Sequence, residues 1–552
     1  MIEWNAPGGG LWQLESTHVR GVQPRVFQER AVRGFGDGLA RPARRYGLPI
    51  DHIEVRFVNG HCYGRMVPVG APEPKPRKVG RTPPAAALWL LARLHPELRR
   101  RAKSATRTLA EKPWLEDCRR WATEQRPALV AANRALQAED LTSLADDALV
   151  DHLRRAAGTF QRGMTLHFDL MPAHDIPLGR FVVSCRSWGI EPGDALALLA
   201  GNSPASAASA AGLAAIAAAC ADAGVDVRTI EDVRAAGPAA ERALDDYLAD
   251  HGWRVVSQYS PRARTLVELP DVLARAVRVA SARVATKAPD VAAIRDLVPV
   301  GDRARFDELL DDARATYFLR DDNVALTFMW PAGLLRRALL EAGRRLAERG
   351  GLSEPGHVMA LDEAEITAAL AGDADVRDLA IERTAHGLAA EADGAPTMLG
   401  DDEGPPPDPK VFPAAMAELV AAILLPLELE EFGVGAAPVE SEGTGIGTEP
   451  YTGRACVAAD AEDALDRLQD GDVLVTTHTT PAYEAVLPIA GALVTESGGL
   501  MSHAALVCRE HDIPAVLGVT AATSQIPDGA IVTVDPMTGR VTVGVREPAT
   551  PI

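Results

Sequence analysis

Residues 495–518 read TESGGLMSHAALVCREHDIPAVLG, and this stretch decides the interpretation of the chain. His503 follows a serine, lies four residues after a pair of glycines, and opens a run of apolar residues with helical spacing. Ser502 is a favourable N-cap, so His503 is predicted at the first position of a helix. The free N–H groups at such an end favour a bound anion. Gly498 and Gly499 allow the backbone to approach that anion closely.

An imidazole at this position has the chemistry of a phosphoryl carrier. A neutral imidazole is a nucleophile near neutral pH, and the positive end of a helix helps to keep it neutral and then stabilises the phosphoryl group. The sequence therefore predicts His503 as the nucleophile and Gly498, Gly499 and Ser502 as its phosphate-binding surroundings. The alternative for a lone histidine beside an apolar helix is a purely structural role.

The segment resembles the phosphohistidine, or swivelling, domain of the phosphoenolpyruvate-utilising enzymes. The shared pattern is GG, two variable residues, S/T-H, an apolar helix and IPAVVG, and this chain has GG-LM-SHAALVCRE-HD-IPAVLG. Similar stretches flank it, GDVLV at 471–475 and DGAIVTVDPMTGRV at 528–541. GGLM is most similar to the rifampicin phosphotransferase and phosphoenolpyruvate synthase branches of the family. The resemblance implies that His503 carries phosphate and that Thr495 contacts it.

A second, looser resemblance lies near the N-terminus. Gly10, Trp12, Glu15 and His18 resemble the G-x-W-x-x-D-x-x-H pattern that opens the substrate-side region of the same family, with Glu15 in place of Asp. The resemblance makes His18 the candidate general base for the second half-reaction, because a histidine that titrates near neutral pH suits that task. A structural or surface histidine is the alternative.

Two arginines, Arg320 in FLRDDN and Arg337 in LLRRALL, are candidate phosphate clamps. Arginines on helix faces also commonly pair with carboxylates or lie along the surface, and that alternative stays open for both. The six cysteines never fall in CxxC spacing, which indicates reduced thiols in a cytoplasmic protein. We assign no metal site.

Composition narrows the possible partners. The chain has 552 residues and a formal net charge of -19, which argues against a general nucleic-acid or anionic-membrane surface. No signal peptide is visible at the N-terminus. The alanine-rich run at 205–223 predicts a tightly packed helix instead of a membrane span.

The periodicity predicts a multidomain α+β protein. Residues 1–80 form a β-containing segment with a hairpin around Asn59–Gly60, and 81–393 a mainly helical substrate-binding domain. That domain includes one helix over 85–110 and another over 146–168, with Pro172 and Pro177 as breaks. Residues 394–440 form a proline- and glycine-rich hinge with a short helix, and 441–547 the α/β swivelling domain.

The family resemblance implies two further units that we do not find in this sequence, an ATP-grasp unit and a pyruvate-binding barrel. No G-x-x-x-x-G-K-[ST] pattern occurs. We therefore expect no cofactor on this chain alone, with ATP and magnesium on a separate ATP-grasp subunit that phosphorylates His503. The phosphate then passes to the hydroxyl of a small molecule held in the helical domain. A non-catalytic binding or regulatory descendant of the family, or a different reaction on the same scaffold, remains open.

Overall fold

The protein is described from a computed structural model, which divides the chain into two compact units. Unit 1 comprises Met1–Pro177, Gln258–Ala263 and Asp322–Ile423, and unit 2 comprises Leu178–Ser257, Arg264–Asp321 and Leu424–Ile552. The structure describes residues 2–16, 18–70, 84–199, 201–202, 204–280, 290–400, 407–431, 443–479, 483, 487–500, 502–510 and 512–544.

Unit 1 contains a four-stranded antiparallel sheet in the order β2-β3-β1-β4. Its strands are β1 Leu11–Leu14, β2 Ile50–Val58, β3 His61–Pro68 and β4 Met398–Gly400. The predicted hairpin is confirmed, because Asn59 and Gly60 both have positive φ (49° and 80°) and join β2 to β3. The sequence did not predict β4, which lies inside the proposed hinge and pairs with β1.

Helices make up most of the rest of unit 1. The first part of the chain contains α1 Arg25–Tyr46, α2 Ala85–Leu94, α3 Pro96–Glu111, α4 Pro113–Arg120, α5 Arg126–Ala138 and α6 Asp146–Ser187. The later part contains α14 Trp330–Glu348, α15 Glu363–Ala371, α16 Arg377–Asp393 and α17 Ala414–Glu431. Five-residue π-helical turns lie at Trp121–Gln125 and Ala325–Met329.

Two helix predictions in this region were wrong in their limits. The predicted helix over 85–110 is divided at His95 and Pro96, where the extended backbone of His95 separates α2 from α3. Conversely, α6 runs for 42 residues straight through Pro172 and Pro177, which the sequence predicted as breaks. Tertiary packing outweighs the local cost of a proline inside a helix here.

Unit 2 contains a second group of helices and the C-terminal sheet. The helices are α7 Pro192–Ala197, α8 Pro204–Asp222, α9 Ile230–Ala235, α10 Pro238–His251, α11 Pro270–Ala280, α12 Val291–Leu297, α13 Arg303–Val324, α18 Ala461–Arg467, α19 His503–Glu510 and α20 Ala522–Gln525. The strands are β5 Thr444–Ile446, β6 Tyr451–Ala458, β7 Val473–Thr476, β8 Ala492–Thr495, β9 Ala515–Leu517, β10 Ile531–Asp535 and β11 Arg540–Val543.

The C-terminal sheet has the order β11-β10-β6-β7-β8-β9-β5, with β6, β7, β8 and β9 parallel and antiparallel neighbours at both edges. Side chains alternate between its faces. Val473, Val475 and Val494 join one apolar cluster, whereas Leu474 and Leu493 join another. Both faces are therefore buried, as expected for parallel strands.

The second of those clusters extends beyond the sheet. It also contains buried residues of α19 and of the helices α8, α10 and α11. Arg275 on α11 donates to the backbone carbonyls of Leu465 and Leu468, next to α18. The helices between 204 and 280 thus share one core with the C-terminal sheet.

The fold class predicted from the sequence, a multidomain α+β protein with a mainly helical part and a C-terminal α/β part, is confirmed. The proposed domain limits remain predictions; the compact units group 178–257 and 264–321 with the C-terminal region. Among the described residues, none of the helices is both long enough and apolar enough to cross a membrane.

Candidate functional site

The candidate site lies where β8 ends and α19 begins. In open α/β sheets, ligands bind at the carboxyl ends of parallel strands, and β8 is such a strand. The chain leaves β8 at Thr495, passes through Gly498 and Gly499, and enters α19 at His503. Gly498 has a φ of 114°, a conformation that side chains disfavour, so the turn depends on a glycine at this position.

Ser502 is the N-cap of α19, as the sequence predicted. Its Oγ accepts a hydrogen bond from the backbone N–H of Ala505 at 3.3 Å, and its own N–H donates to the carbonyl of Gly499 at 3.0 Å. These two bonds fix the backbone of His503 at the first position of the helix. The side chain of His503 lies outside the described part of the structure.

Thr495 has a feature that distinguishes it from an ordinary strand residue. It is 0% exposed, and its Oγ1 has no hydrogen-bond partner among the described residues. A methyl group placed on Gly498 would lie 3.6 Å from Thr495 Oγ1 and 3.5 Å from Ser502 Oγ, so both hydroxyl groups border the same space. An unpaired buried hydroxyl is costly, and a bound oxygen-rich ligand would remove that cost.

Two further residues at this site were not singled out from the sequence. Thr479, in the segment after β7, also has a buried Oγ1 without a hydrogen-bond partner among the described residues. Arg509 on α19 donates from Nη1 to the carbonyl of Leu500 at 2.7 Å, and its Nη2 is buried without such a partner. The hydroxyl-rich run TTHTT after a buried strand is the sequence signal that identifies the first of them.

Arg509 holds the segment that leads into His503. Burial lowers the pKa of its guanidinium, and the nearby Tyr317 on α13 acts in the opposite direction. Leu500 lies in the same segment and packs against Gly193 of α7. The turn before His503 is therefore fixed both by a charge-assisted hydrogen bond and by apolar contacts.

His18, the predicted general base, lies in unit 1 on the segment after β1. Its backbone N–H donates to Glu15 Oε1 at 2.8 Å, and its Nδ1 lies 3.3 Å from the same oxygen. The ring stacks on Tyr259 with a centroid distance of 5.1 Å, and the side chain is 42% exposed. His18 thus has a carboxylate beside one ring nitrogen, which favours one tautomer.

The two candidate phosphate clamps occupy different surroundings. Arg337 lies on α14 in unit 1 and donates to the backbone carbonyls of Gln137 and Glu139, at 2.9 and 2.6 Å. It closes the C-terminal end of α5, an arrangement that does not support a phosphate contact. Arg320 lies half-buried on α13 in unit 2, one helical turn after Tyr317. It shares the helix face of the tyrosine that interacts with Arg509.

The described residues contain no group of three or more histidine, cysteine, aspartate or glutamate side chains arranged to hold a metal ion. The six cysteines are all buried, and none of them forms a disulfide bond. The chemistry available at the end of β8 therefore consists of hydroxyl groups, backbone N–H groups at a helix N-terminus, and the buried guanidinium of Arg509 that holds the preceding turn, a set that suits an anion.

The family model described as "PEP-utilising enzyme, mobile domain" matches residues 468–539. The chain is 34% identical over 208 residues to the uncharacterized phosphotransferase YvkC of Bacillus subtilis (strain 168), covering 37% of this chain and 23% of that protein. It is 41% identical over 115 residues to phosphoenolpyruvate synthase of Aeropyrum pernix, covering 21% and 14%. It is also 27% identical over 583 residues to chondramide synthase cmdD of Chondromyces crocatus, covering 98% and 14%.

The chain thus spans less than a quarter of the length of each of these three relatives. The matched residues contain β7, β8, α19 and the turn between Thr495 and His503, so the likeness falls on the candidate site itself. Residues 468–539 are therefore similar to the mobile domain of the phosphoenolpyruvate-utilising enzymes.

Proposed function

We propose that this chain is a phosphotransferase component that carries a phosphoryl group on His503 and passes it to the hydroxyl of a small molecule bound by its helical part. The observation that carries the proposal is the fully buried hydroxyl of Thr495, which has no hydrogen-bond partner in the part of the chain that the structure describes. It borders the same space as Ser502, directly before the helix that His503 opens. The similarity of residues 468–539 to the mobile domain, and of parts of the chain to a relative named phosphotransferase and another named phosphoenolpyruvate synthase, supports it.

In the first half-reaction, one ring nitrogen of His503 attacks the phosphorus in line and the bond to the leaving group breaks. Negative charge on the equatorial oxygens is stabilised by prearranged donors. The N-terminal N–H groups of α19 and the Thr495 hydroxyl are the proposed donors on this chain. Arg509 keeps the turn in place through Leu500.

We propose that the phosphoryl donor is ATP, bound with magnesium on a separate ATP-grasp subunit. The hydroxyl and backbone N–H groups at the end of β8 can donate to the oxygens of a phosphoryl group attached to an imidazole. Nucleotide and metal binding are assigned to the partner, and the chain described here supplies the carrier.

In the second half-reaction, the acceptor oxygen attacks the phosphohistidine, and a general base removes the hydroxyl proton. His18 is the base that the N-terminal motif suggests. Its Nδ1 lies 3.3 Å from Glu15 Oε1, a carboxylate that would stabilise the imidazolium formed when His18 takes the proton.

Labelling tests the carrier role directly. The full chain is treated with potassium phosphoramidate, which phosphorylates imidazoles, and in parallel with labelled ATP and an ATP-grasp protein. We expect acid-labile, base-stable label on the wild type and its loss in His503→Ala. His478→Ala is the matched control, because His478 follows β7, the strand next to β8, and contacts Thr477.

Equal labelling of wild type and His503→Ala would contradict the carrier role. Absence of label from both donors would favour a non-catalytic binding or regulatory descendant of the family. Label that forms but is not passed to any acceptor would leave the first half-reaction intact and remove the second.

A further inference from the structure

Helix α2 of unit 1 exposes its apolar side chains instead of burying them. Its ten residues read AAALWLLARL, and Ala92 is the one residue among them that is buried. The exposed residues are all apolar, and the large ones are Trp89, Leu90, Leu91 and Leu94. Leu94 alone is 64% exposed. A helix of this composition is normally buried, and a contiguous apolar surface marks an interaction site.

Helix α16 carries a second exposed apolar stripe in the same unit. Its members follow one another at intervals of four, three and four residues, and all are exposed: Ile381, Ala385, Leu388 and Ala392. The residues that α16 buries in unit 1 lie outside this stripe. Intervals of three and four residues form the seam along which one helix packs lengthwise against another. The stripe on α16 therefore has the pattern of a helix that lacks its partner helix.

The charges beside these two apolar surfaces have opposite signs. The helix α3, which follows α2 directly, exposes the cations Arg99, Arg100, Lys103 and Arg107. Arg100 pairs with Glu97, whereas the other three have no ion-pair partner among the residues that the structure describes.

The acidic counterpart lies at the N-terminal end of α16. Four carboxylates are exposed there, with Arg377 as the one cation among them: Asp373, Asp375, Asp378 and Glu382. Opposite charges that face each other across an interface favour the correct partner and orientation.

The two surfaces also match in length and in order. Helix α2 is about 15 Å long, and the stripe from Ile381 to Ala392 spans about 17 Å. In an antiparallel arrangement the apolar α2 meets this stripe, and the cations of α3 lie toward the acidic end of α16. The leucines of α2 then face Ala385 and Ala392, which are small enough to leave room for them.

Within one copy, the two surfaces are held at opposite ends of the hairpin β2–β3. Arg101 on α3 donates to the carbonyls of Leu48 and Ile50, beside the start of β2, at 2.8 and 3.0 Å. His386 on α16 has its Nε2 3.1 Å from Asn59 Oδ1, just after the end of β2. The nine residues of β2 separate these points by about 30 Å. Each copy can therefore offer both surfaces to a partner at the same time.

We propose that the chain forms a homodimer in which α2 and α3 of one copy dock on α16 of the other. Two-fold symmetry makes this contact twice, because each copy supplies both surfaces. A second copy fits better than an anionic lipid surface, since the whole chain has a net charge of -19 and would be repelled by such a surface. The dimer does not depend on the phosphotransfer proposed for His503.

Sedimentation velocity of the full chain at micromolar concentrations tests the dimer. We expect a species with twice the mass of one chain. Replacing both Leu90 and Leu94 by glutamate would bury two charges in the interface, so the dissociation constant should rise by about 10-fold or more. Leu297→Glu is the matched control, because Leu297 is an equally exposed leucine on α12 of unit 2. It should dimerise as the wild type does, and all these variants should keep the circular dichroism of the wild type, since the replaced side chains are exposed.

Charge reversal tests which surfaces meet. One variant carries Arg99→Glu with Lys103→Glu, and a second carries Asp378→Lys with Glu382→Lys. Each alone should dimerise weakly, because like charges then face each other in both contacts. An equal mixture of the two variants should recover the dimer, because the reversed α3 meets the reversed α16 and the unchanged pair meets as before.

Four outcomes overturn the inference. A wild-type chain that stays monomeric has no such dimer, and if that monomer binds phosphatidylserine vesicles through Leu90 and Leu94, α2 serves a lipid surface instead. Equal weakening by Leu297→Glu shows that the loss is not specific to α2. A dimer that survives the leucine and charge variants uses another surface. A mixture of charge variants that stays monomeric contradicts the pairing of α3 with α16.

Discussion

Replacing Thr495 by valine is expected to change the stability of the mobile domain and the phosphorylation of His503 in opposite directions. Thr495 Oγ1 is buried without a hydrogen-bond partner among the described residues. An unsatisfied buried hydroxyl costs about 1–3 kcal/mol, and valine has nearly the same shape and favours strands. We therefore expect Thr495→Val to raise the free energy of unfolding by about 1 kcal/mol or more.

The same substitution should weaken phosphotransfer. A hydrogen bond to a charged group contributes about 1.5–3 kcal/mol. If the Thr495 hydroxyl donates to the phosphoryl group as it is transferred, its loss slows phosphorylation of His503 by about 10- to 150-fold. A variant that is more stable and less active is the expected signature of a group placed for a ligand.

Thr476 provides the matched control. It lies directly opposite Thr495 on the neighbouring strand β7 and is equally buried, but its Oγ1 lies 3.2 Å from the hydroxyl of Tyr483. Thr476→Val therefore removes a hydrogen bond that is made in the folded protein. It should lower the free energy of unfolding by about 1 kcal/mol and leave phosphorylation of His503 unchanged.

Urea unfolding of the full chain measures the stabilities, and single-turnover phosphorylation of His503 by phosphoramidate measures the chemistry. Because the chain has two units, the unfolding transition is followed by a probe in the mobile domain. If Thr495→Val destabilises the domain as much as Thr476→Val does, the hydroxyl has a structural partner and the reasoning is wrong. Unchanged phosphorylation would remove Thr495 from the phosphate site.

Three further predictions concern the segment around the start of α19 and a buried histidine of α6. Gly498→Ala places a side chain at a φ of 114° and should lower the free energy of unfolding by about 1–3 kcal/mol in urea; unchanged stability would show that the turn does not require glycine. Arg509→Lys removes the guanidinium whose Nη1 donates to the Leu500 carbonyl, so phosphorylation of His503 should slow while the circular dichroism of the chain stays unchanged; a wild-type rate would contradict this. His167 has a folded pKa of about 3, below its unfolded value of 6.5. The unfolded chain therefore binds the proton first as the pH falls, and acidification from about pH 7 to 5 should destabilise the protein through this residue by up to about 2 kcal/mol. His167→Gln should lose that part of the pH dependence, measured by urea unfolding at both values, and an unchanged slope would exclude it.

The sequence determined the features that depend on neighbouring residues. Asn59–Gly60 specified the turn between β2 and β3, and Ser502 specified the start of α19, because turns and caps are set by local backbone angles and local hydrogen bonds. Gly498, singled out as part of the glycine pair before His503, has a backbone φ of 114° that favours glycine. The match of residues 468–539 to the mobile domain confirmed what this local pattern had indicated.

Only the tertiary structure decided which distant segments meet. No local sequence signal pairs β1 with β4 or brings Arg337 to the end of α5. The local signal at Pro172 and Pro177 even predicts breaks, yet α6 continues through both. The same holds for the hydroxyl of Thr495, because its lack of a hydrogen-bond partner among the described residues depends on everything packed around it. Such features depend on packing free energy summed over the whole core, which outweighs local preference wherever the two conflict.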